Sequence, residues 1–172
     1  MEEKGYIHVY TGNGKGKTTA ALGLSLRAVC AGKKVFFGQF VKGMKYSEVK
    51  ALEYLPDFEM EQFGLNCFIY NEPNEEDIEA ARKGLQKIKD IINSSEYDVV
   101  VLDEVNIALY YKLFDIDEVL EILRNRPENI EVICTGRFAK EELIEIADLV
   151  TEMKEVKHYY NEGVMAREGI EC

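Results

Sequence analysis

The sequence contains no tryptophan and few prolines, histidines and cysteines, with three, two and four copies respectively among 172 residues. No two cysteines form a Cys-x-x-Cys pair, and none lies near a histidine at the spacing of zinc ligands, so the sequence offers no zinc site. We expect the thiols to be reduced and mostly buried. The prolines all fall between periodic segments, where turns are expected.

Basic side chains are in the minority, with 21 lysines and arginines against 32 aspartates and glutamates, and the net charge is −11. Because nucleic-acid binding relies on clustered lysine and arginine, this balance argues against nucleic acid and against an anionic membrane surface as partners. No apolar run approaches the ~20 residues that span a bilayer, and no apolar signal core follows the first residues. We therefore expect a cytoplasmic protein with neither a nucleic-acid nor a membrane partner.

The length of the chain suits one compact domain, and we assign residues 1–172 to it. The sequence shows no internal repeat, low-complexity segment or Pro/Gly/Ser-rich linker. A second ligand must then bind on loops of the same domain or across an oligomer interface.

Hydrophobic periodicity predicts strands that alternate with helices. The predicted strands are 6–10, 35–40, 58–63, 99–102, 132–135 and 149–153, and the predicted helices are 17–31, 50–55, 75–93, 117–125 and 140–147. This alternation indicates a doubly wound α/β fold, with a mostly parallel sheet and helices on both faces. Right-handed crossovers then bring the carboxyl ends of the strands, where ligands bind, to one edge.

Residues 11–19, Thr-Gly-Asn-Gly-Lys-Gly-Lys-Thr-Thr, follow the first strand and open the first helix, which is the context of a phosphate-binding loop. The glycines let backbone amides turn toward a phosphate, and the helix N-terminus adds partial positive charge. Lys17 can reach phosphate oxygens, and the Thr18 hydroxyl can bind Mg²⁺. The predicted ATP-binding residues of this loop are Gly12, Asn13, Gly14, Lys15, Gly16, Lys17, Thr18 and Thr19.

The loop is one residue shorter than the usual Gly-x-x-x-x-Gly-Lys-Ser/Thr pattern, because Thr11 stands where the first glycine is expected. The register of the phosphates is therefore open. A glycine-rich turn with incidental lysines and a dinucleotide-binding loop are the alternatives, but neither accounts for the strand, the Lys-Thr pair and the helix together. The domain is accordingly predicted to be a P-loop NTPase of the RecA-like type.

Residues 99–104 form an apolar strand that ends in two carboxylates, as in a Walker B segment. At the sheet edge, Asp103 or Glu104 would face the phosphate loop and hold Mg²⁺, directly or through water. No Asn-Lys-x-Asp motif occurs, so adenine is favoured over guanine. Arg137 follows another predicted strand at the same edge, where it could contact an anion or a ribose.

Taken together, these motifs resemble the P-loop class of ATP:corrinoid adenosyltransferases, of the CobA/BtuR type. The resemblance covers nearly the whole chain. It is carried by residues 10–21, 27–28, 32–35, 39–43, 102–104, 135–137, 156–158 and 163–171.

The resemblance implies that cobalt(I) of a reduced corrinoid attacks the 5′ carbon of ATP and that inorganic triphosphate leaves. No protein nucleophile is then needed, and the implied catalytic residues are Lys17, Thr18 and Glu104. Thr18 and Glu104 would bind the metal ion, with Asp103 as the alternative to Glu104. The implied metal is Mg²⁺ or Mn²⁺. The family binds its triphosphate reversed relative to most P-loop proteins. It also suggests a homodimer and an electron-donating reductase as a possible partner.

The family carries two aromatic residues, two positions apart, that crowd the lower face of the corrinoid. Their aligned positions here are Cys67 and Ile69, while Phe68 and Tyr70 lie one residue along with the same spacing. We expect Phe68 and Tyr70 near the corrinoid, with plain core or surface aromatics as the alternative. Many family members carry an N-terminal extension that helps to cover the active site, and this sequence does not contain it. Residues 66–74 or a partner subunit would then form that side of the corrinoid site.

Other interpretations remain open at this point. The chain could be a RecA-like ATPase acting as a motor or switch, with Glu104 as its base, or a non-catalytic ATP-binding module. His8 is expected to be structural, and His158 to contact either the substrate or its own loop. For Tyr110 and Tyr111 we expect core packing.

Overall fold

The computed structural model describes residues 4–42, 47–65 and 72–171. The strands of the described ranges are β1 (Ile7–Thr11), β2 (Val35–Phe40), β3 (Phe58–Phe63), β4 (Val99–Asp103), β5 (Glu131–Thr135) and β6 (Leu149–Glu152). The helices are α1 (Lys17–Cys30), α2 (Glu75–Ser94), α3 (Val105–Tyr110), α4 (Ile116–Arg124) and α5 (Glu141–Ile146), with 3₁₀ turns at Ser47–Glu53 and Tyr159–Glu162.

In the described part of the chain, six strands form one sheet in the order β3-β2-β4-β5-β1-β6, and every pair is parallel. The predicted doubly wound α/β fold is confirmed, and it is consistent with a P-loop NTPase. β5 lies between β1, which leads into the phosphate loop, and β4, which ends in the acidic pair. Their carboxyl ends therefore meet at one edge of the sheet.

Alternate residues of β4 enter two apolar layers, one on each face of the sheet. Val99 and Val101 pack with Ile133 in the layer covered by α1. Val100 and Leu102 pack in the layer covered by α2 to α5. Burial on both faces is why this strand is a continuous apolar run rather than an alternating one.

Helix α2 begins at a capping box, in which Asn74 and Asp77 exchange side-chain to backbone hydrogen bonds. The helix predicted over residues 75–93 is confirmed, and its apolar residues at steps of three and four lie on one face, where Ala81, Leu85, Ile88 and Ile92 are buried. The opposite face carries exposed charged residues, among them Lys83 and Lys87. None of the helices in the described ranges has the length and apolarity of a membrane span.

Helix α3 was not predicted. It begins directly after Glu104, whose backbone is left-handed with φ 59°, and its six residues are too few to show a helical period. It makes the packing prediction for Tyr110 wrong, because this side chain is 52% exposed at the helix end, while Tyr111 is half-buried against the core.

The cysteine prediction is confirmed for one of the two described thiols. Cys134 is buried in β5, and burial raises the pKa of its thiol to about 12. Cys30, at the end of α1, is exposed because it lies on the outer face of that helix. Cys67 and Cys172 lie outside the described residues.

Two helical glycines give opposite predictions for substitution by alanine. A Cβ at Gly84 in α2 would lie 2.4 Å from Cγ and 2.5 Å from Cβ of Phe63, whereas a Cβ at Gly23 in α1 would meet nothing within 4 Å. We expect Gly84→Ala to lower the free energy of unfolding by about 1–3 kcal/mol through overpacking. Gly23→Ala should raise it by up to ~1 kcal/mol through helix propensity. Urea unfolding of both variants tests this, and equal effects would contradict the packing of α2 on β3.

Candidate functional site

The phosphate loop connects β1 to α1 and is held against the chain that follows β6. The Gly14 amide donates a 2.7 Å hydrogen bond to the carbonyl of Met153. A Cβ at Gly12, where φ is 94°, would lie 2.4 Å from the same carbonyl oxygen, and one at Gly14 would lie 2.8 Å from it. This close approach of two backbones is why the loop requires glycine at these positions. Gly16 (φ 119°) is the N-cap residue that precedes α1.

Lys17 lies inside the curve of the loop. Its Nζ donates to the carbonyls of Gly12 (2.8 Å) and Gly14 (2.7 Å), and the residue is 7% exposed. Burial lowers the pKa of Lys17, while the negative charge of Glu104 opposes that shift. The ammonium is thus already oriented at the N-terminus of α1, where an anion is favoured.

Asp103, the last residue of β4, is fully buried and accepts hydrogen bonds on both carboxylate oxygens. Its Oδ1 accepts from Thr18 (2.9 Å) and from Thr135 (2.7 Å). Its Oδ2 accepts from Nζ of Lys42 (3.1 Å) and Nε2 of Gln39 (3.2 Å). The strand ends of β2, β4 and β5 and the start of α1 therefore converge on this one carboxylate.

Glu104 lies at the start of α3 and is half-buried. Its backbone amide donates to the hydroxyl of Thr135 at 3.0 Å. Burial raises the pKa of Glu104, and the negative charge of Asp103 raises it further. A Cβ at Gly136 would lie 3.2 Å from Oε2 of Glu104, so the glycine leaves room for this carboxylate.

The donor set fits a magnesium site that needs phosphate to complete it. Mg²⁺ is usually held by one or two carboxylates together with substrate phosphates and waters. Here the Asp103 carboxylate contacts the Thr18 hydroxyl beside the phosphate loop, so one carboxylate lies where phosphate oxygens and waters could supply the remaining ligands. Within residues 4–42, 47–65 and 72–171 there is no cluster of three or more His, Cys, Asp or Glu side chains that could hold an ion.

A cavity of about 770 Å³ lies over the loop at the carboxyl edge of the sheet. The structure brings most predicted site residues to its wall: Asn13, Gly14, Lys15, Gly16, Lys17, Thr18, Thr19, Glu104 and Arg137. His158 also lines it, and its Nδ1 accepts from the backbone amide of Tyr160 at 3.0 Å. Phe68 and Tyr70 lie outside the described residues.

Residues 153–171, here called the C-terminal strap, contribute His158, Gly169, Ile170 and Glu171 to the wall of this cavity. Lys15 Nζ donates to the Tyr159 hydroxyl (3.1 Å), the Ile170 carbonyl (3.0 Å) and Oε1 of Glu171 (2.8 Å). Arg167 donates to Oε1 of Glu171 at 3.1 Å, and Tyr159 donates to the same oxygen. Hydrogen bonding to Glu171 raises the pKa of Lys15, and the Arg167 and Lys15 cations hold the pKa of Glu171 well below its usual range.

Apart from Thr18, the side chains that donate hydrogen bonds to Asp103 were not predicted as site residues. Gln39 is the penultimate residue of the buried strand β2, Lys42 follows that strand, and Thr135 ends β5, so each is a polar residue at the carboxyl end of an apolar strand. That position was the signal that could have found them. The contact between Lys15 and the strap had no comparable signal, because it joins opposite ends of the sequence.

Comparison with known proteins gives a consistent answer. Residues 3–172 match the family described as "ATP:corrinoid adenosyltransferase BtuR/CobO/CobP". A corrinoid adenosyltransferase of Sinorhizobium sp is 39% identical over 181 residues, covering 99% of this chain and 81% of the relative. One from Escherichia coli strain K12 is 40% identical over 173 residues, which cover 99% of this chain and 87% of the relative. One from Pseudomonas aeruginosa is 34% identical over 172 residues, which cover 99% of this chain and 85% of the relative.

The match extends over almost all of the sequence, including the loop, the acidic strand end and the strap that together form the cavity. By this extent and this degree of identity, the chain belongs to the ATP:corrinoid adenosyltransferase family BtuR/CobO/CobP.

Proposed function

We propose that the protein transfers the 5′-deoxyadenosyl group of ATP to cobalt(I) of a reduced corrinoid and releases inorganic triphosphate. The observation that carries the proposal is a single cavity in which the phosphate loop faces the acidic end of β4. Family membership supports the same reaction. The corresponding relatives are named corrinoid adenosyltransferases, and an ATPase motor or switch is not favoured by these matches.

In the proposed step, an electron pair on cobalt(I) attacks C5′ of ATP and forms the cobalt–carbon bond. The bond between C5′ and oxygen breaks, and its electron pair leaves with the triphosphate, so cobalt becomes cobalt(III). No proton is transferred, and the protein needs neither a nucleophile nor a general base. Its task is to position C5′ and to stabilise the charge of the leaving group.

The phosphate loop and Lys17 are proposed to bind the triphosphate, with Arg137 contributing at the rim of the cavity. Thr18, Asp103 and Glu104 are proposed to hold Mg²⁺ or Mn²⁺, which would neutralise part of the triphosphate charge when bound. Asp103 contacts Thr18 directly, which supports it as a ligand alongside Glu104. The whole chain is proposed to act as one P-loop nucleotide-binding domain in the cytoplasm.

Lys15 is proposed to contact the triphosphate as well, although its ammonium is already bound to the strap. Phosphate oxygens and the Glu171 carboxylate would then compete for the same cation. Binding of ATP at Lys15 therefore weakens the contact between the phosphate loop and the strap, and loss of triphosphate restores it.

Glu171→Gln should strengthen ATP binding by about two- to fivefold, since the ion pair it removes is exposed. Because the pKa of Glu171 is lowered, its carboxylate stays charged well below neutral pH, and the gain should be the same at about pH 6 and 8. Isothermal titration with ATP measures this. Glu162→Gln, an exposed glutamate of the same strap, is the control and should leave the affinity unchanged. Weaker binding by Glu171→Gln would contradict the competition.

The product assay tests the proposed reaction. With ATP, Mg²⁺ and chemically reduced cobalamin, the protein should form adenosylated corrinoid and triphosphate in equal amounts. Lys17→Ala should abolish turnover, because the buried ammonium at the loop is lost. Corrinoid-independent release of ADP and phosphate would show an ATPase instead and overturn the proposal. Chromatography of the nucleotides and the visible spectrum of the corrinoid separate the two outcomes.

Phe68 and Tyr70 are proposed to lie against the lower face of the corrinoid, on the strength of the family resemblance. A homodimer and an electron-donating reductase are proposed on the same ground.

Phe68→Ala and Tyr70→Ala should slow adenosylation of cob(II)alamin with a weak reductant, since crowding of that face keeps cobalt without an axial ligand and eases its reduction. Both variants should keep normal rates with prereduced substrate. The corrinoid spectrum follows both reactions. An equal loss in the two assays would refute the crowding role.

A further inference from the structure

Lys42 contacts two of the residues proposed to bind the metal ion, Asp103 and Thr18. Its Nζ lies 3.1 Å from Oδ2 of Asp103, 3.4 Å from Oγ1 of Thr18 and 4.0 Å from Oε1 of Glu48. Its side chain is 18% exposed and reaches the wall of the cavity over the phosphate loop. The ammonium is thus shared between a buried carboxylate and the hydroxyl at the start of α1.

The backbone before Lys42 is held in an unusual conformation that fixes where this side chain starts. Val41 has φ 60°, in the left-handed region that β-branched residues avoid. A Cβ at Gly64, just after β3, would lie 2.5 Å from the backbone nitrogen of Lys42. Close packing of the ends of β2 and β3 holds Val41 in this strained backbone conformation. Strained residues persist at functional positions when the surrounding structure fixes them in this way.

An ammonium and a divalent cation cannot share this position. Mg²⁺ binds oxygen ligands at about 2.0–2.1 Å. An ion that close to Thr18 and Asp103 would lie within a few ångströms of a second positive charge that hydrogen-bonds to the same two residues. Binding of the metal therefore requires Lys42 to move, and the cavity that it lines is the direction open to it.

We propose that Lys42 holds the metal position in the nucleotide-free protein and turns onto the triphosphate when metal and ATP bind, which makes it a substrate-contacting residue. The inference rests on the proposed function and adds a cation to the leaving group beside Lys15 and Lys17. In the free protein, the same ammonium pairs with the buried Asp103, and among the described residues it is the one cation bound to that carboxylate oxygen. One lysine thus serves two states of the site.

The first test measures Mn²⁺ binding to the nucleotide-free protein by electron paramagnetic resonance. Lys42→Met keeps the length of the side chain and removes the competing charge, so Mn²⁺ should bind at least about tenfold more tightly. Lys42→Arg keeps the charge and should bind Mn²⁺ like the wild type. Lys87→Met, on the exposed face of α2, makes the same change in net charge far from the site and should also match the wild type.

The second test measures inorganic tripolyphosphate binding in the presence of Mg²⁺ by isothermal titration. Lys42→Met should bind about tenfold more weakly, Lys42→Arg should retain most of the affinity, and Lys87→Met should be unchanged. Unchanged or weaker Mn²⁺ binding by Lys42→Met would overturn the proposal. So would unchanged tripolyphosphate binding. If Lys42→Met does not fold, Mn²⁺ binding by Lys42→Arg that is tighter than wild type would also overturn it.

Neither measurement involves a corrinoid or turnover. Failure of the wild type in the corrinoid assay would therefore overturn the proposed function while leaving the two binding results to decide the role of Lys42.

Discussion

A single buried carboxylate, Asp103, organises the site. A charge without access to water needs partners, and removing one partner of such a pair costs about 3–5 kcal/mol. The donors come from three directions: Thr18 from the start of α1, Thr135 from the end of β5, and Gln39 and Lys42 from the end of β2 and the turn after it. The Asp103 carboxylate thus holds the carboxyl edge of the sheet and the start of α1 together, and the same carboxylate faces the phosphate loop.

The phosphate loop depends on a second constraint, the backbone that follows β6. Gly12 and Gly14 touch Met153 so closely that a side chain on either would collide with it. The strap that continues from Met153 returns to Lys15 through Tyr159 and Glu171. The anion-binding surface is therefore built from both ends of the chain, and the strap adds negative charge at a place where the ligand is also negative.

The features that the sequence predicted were those encoded locally. The loop residues and the run of β4 are contiguous, so their pattern indicates strand, loop and helix without knowledge of the packing. What escaped prediction depends on contacts distant in sequence or on single backbone angles. Lys42 meets Asp103 across 61 positions, and Lys15 meets Glu171 across 156. The exposure of Tyr110 follows from α3, whose start is set by the left-handed backbone of Glu104.

The strands that pair with β1 are encoded late in the sequence, and this affects when the protein can fold during synthesis. β1 forms its ladders with β5 and β6 alone among the described strands, so its partners are residues 132–135 and 149–152. A chain emerges from the ribosome with its N-terminal part first, and contacts between distant segments form slowly. β1 thus leaves the ribosome long before any strand exists to pair with it. The nucleotide pocket cannot be completed until residues 132–152 have been synthesised, so a chain interrupted before them has the phosphate-loop sequence but no site.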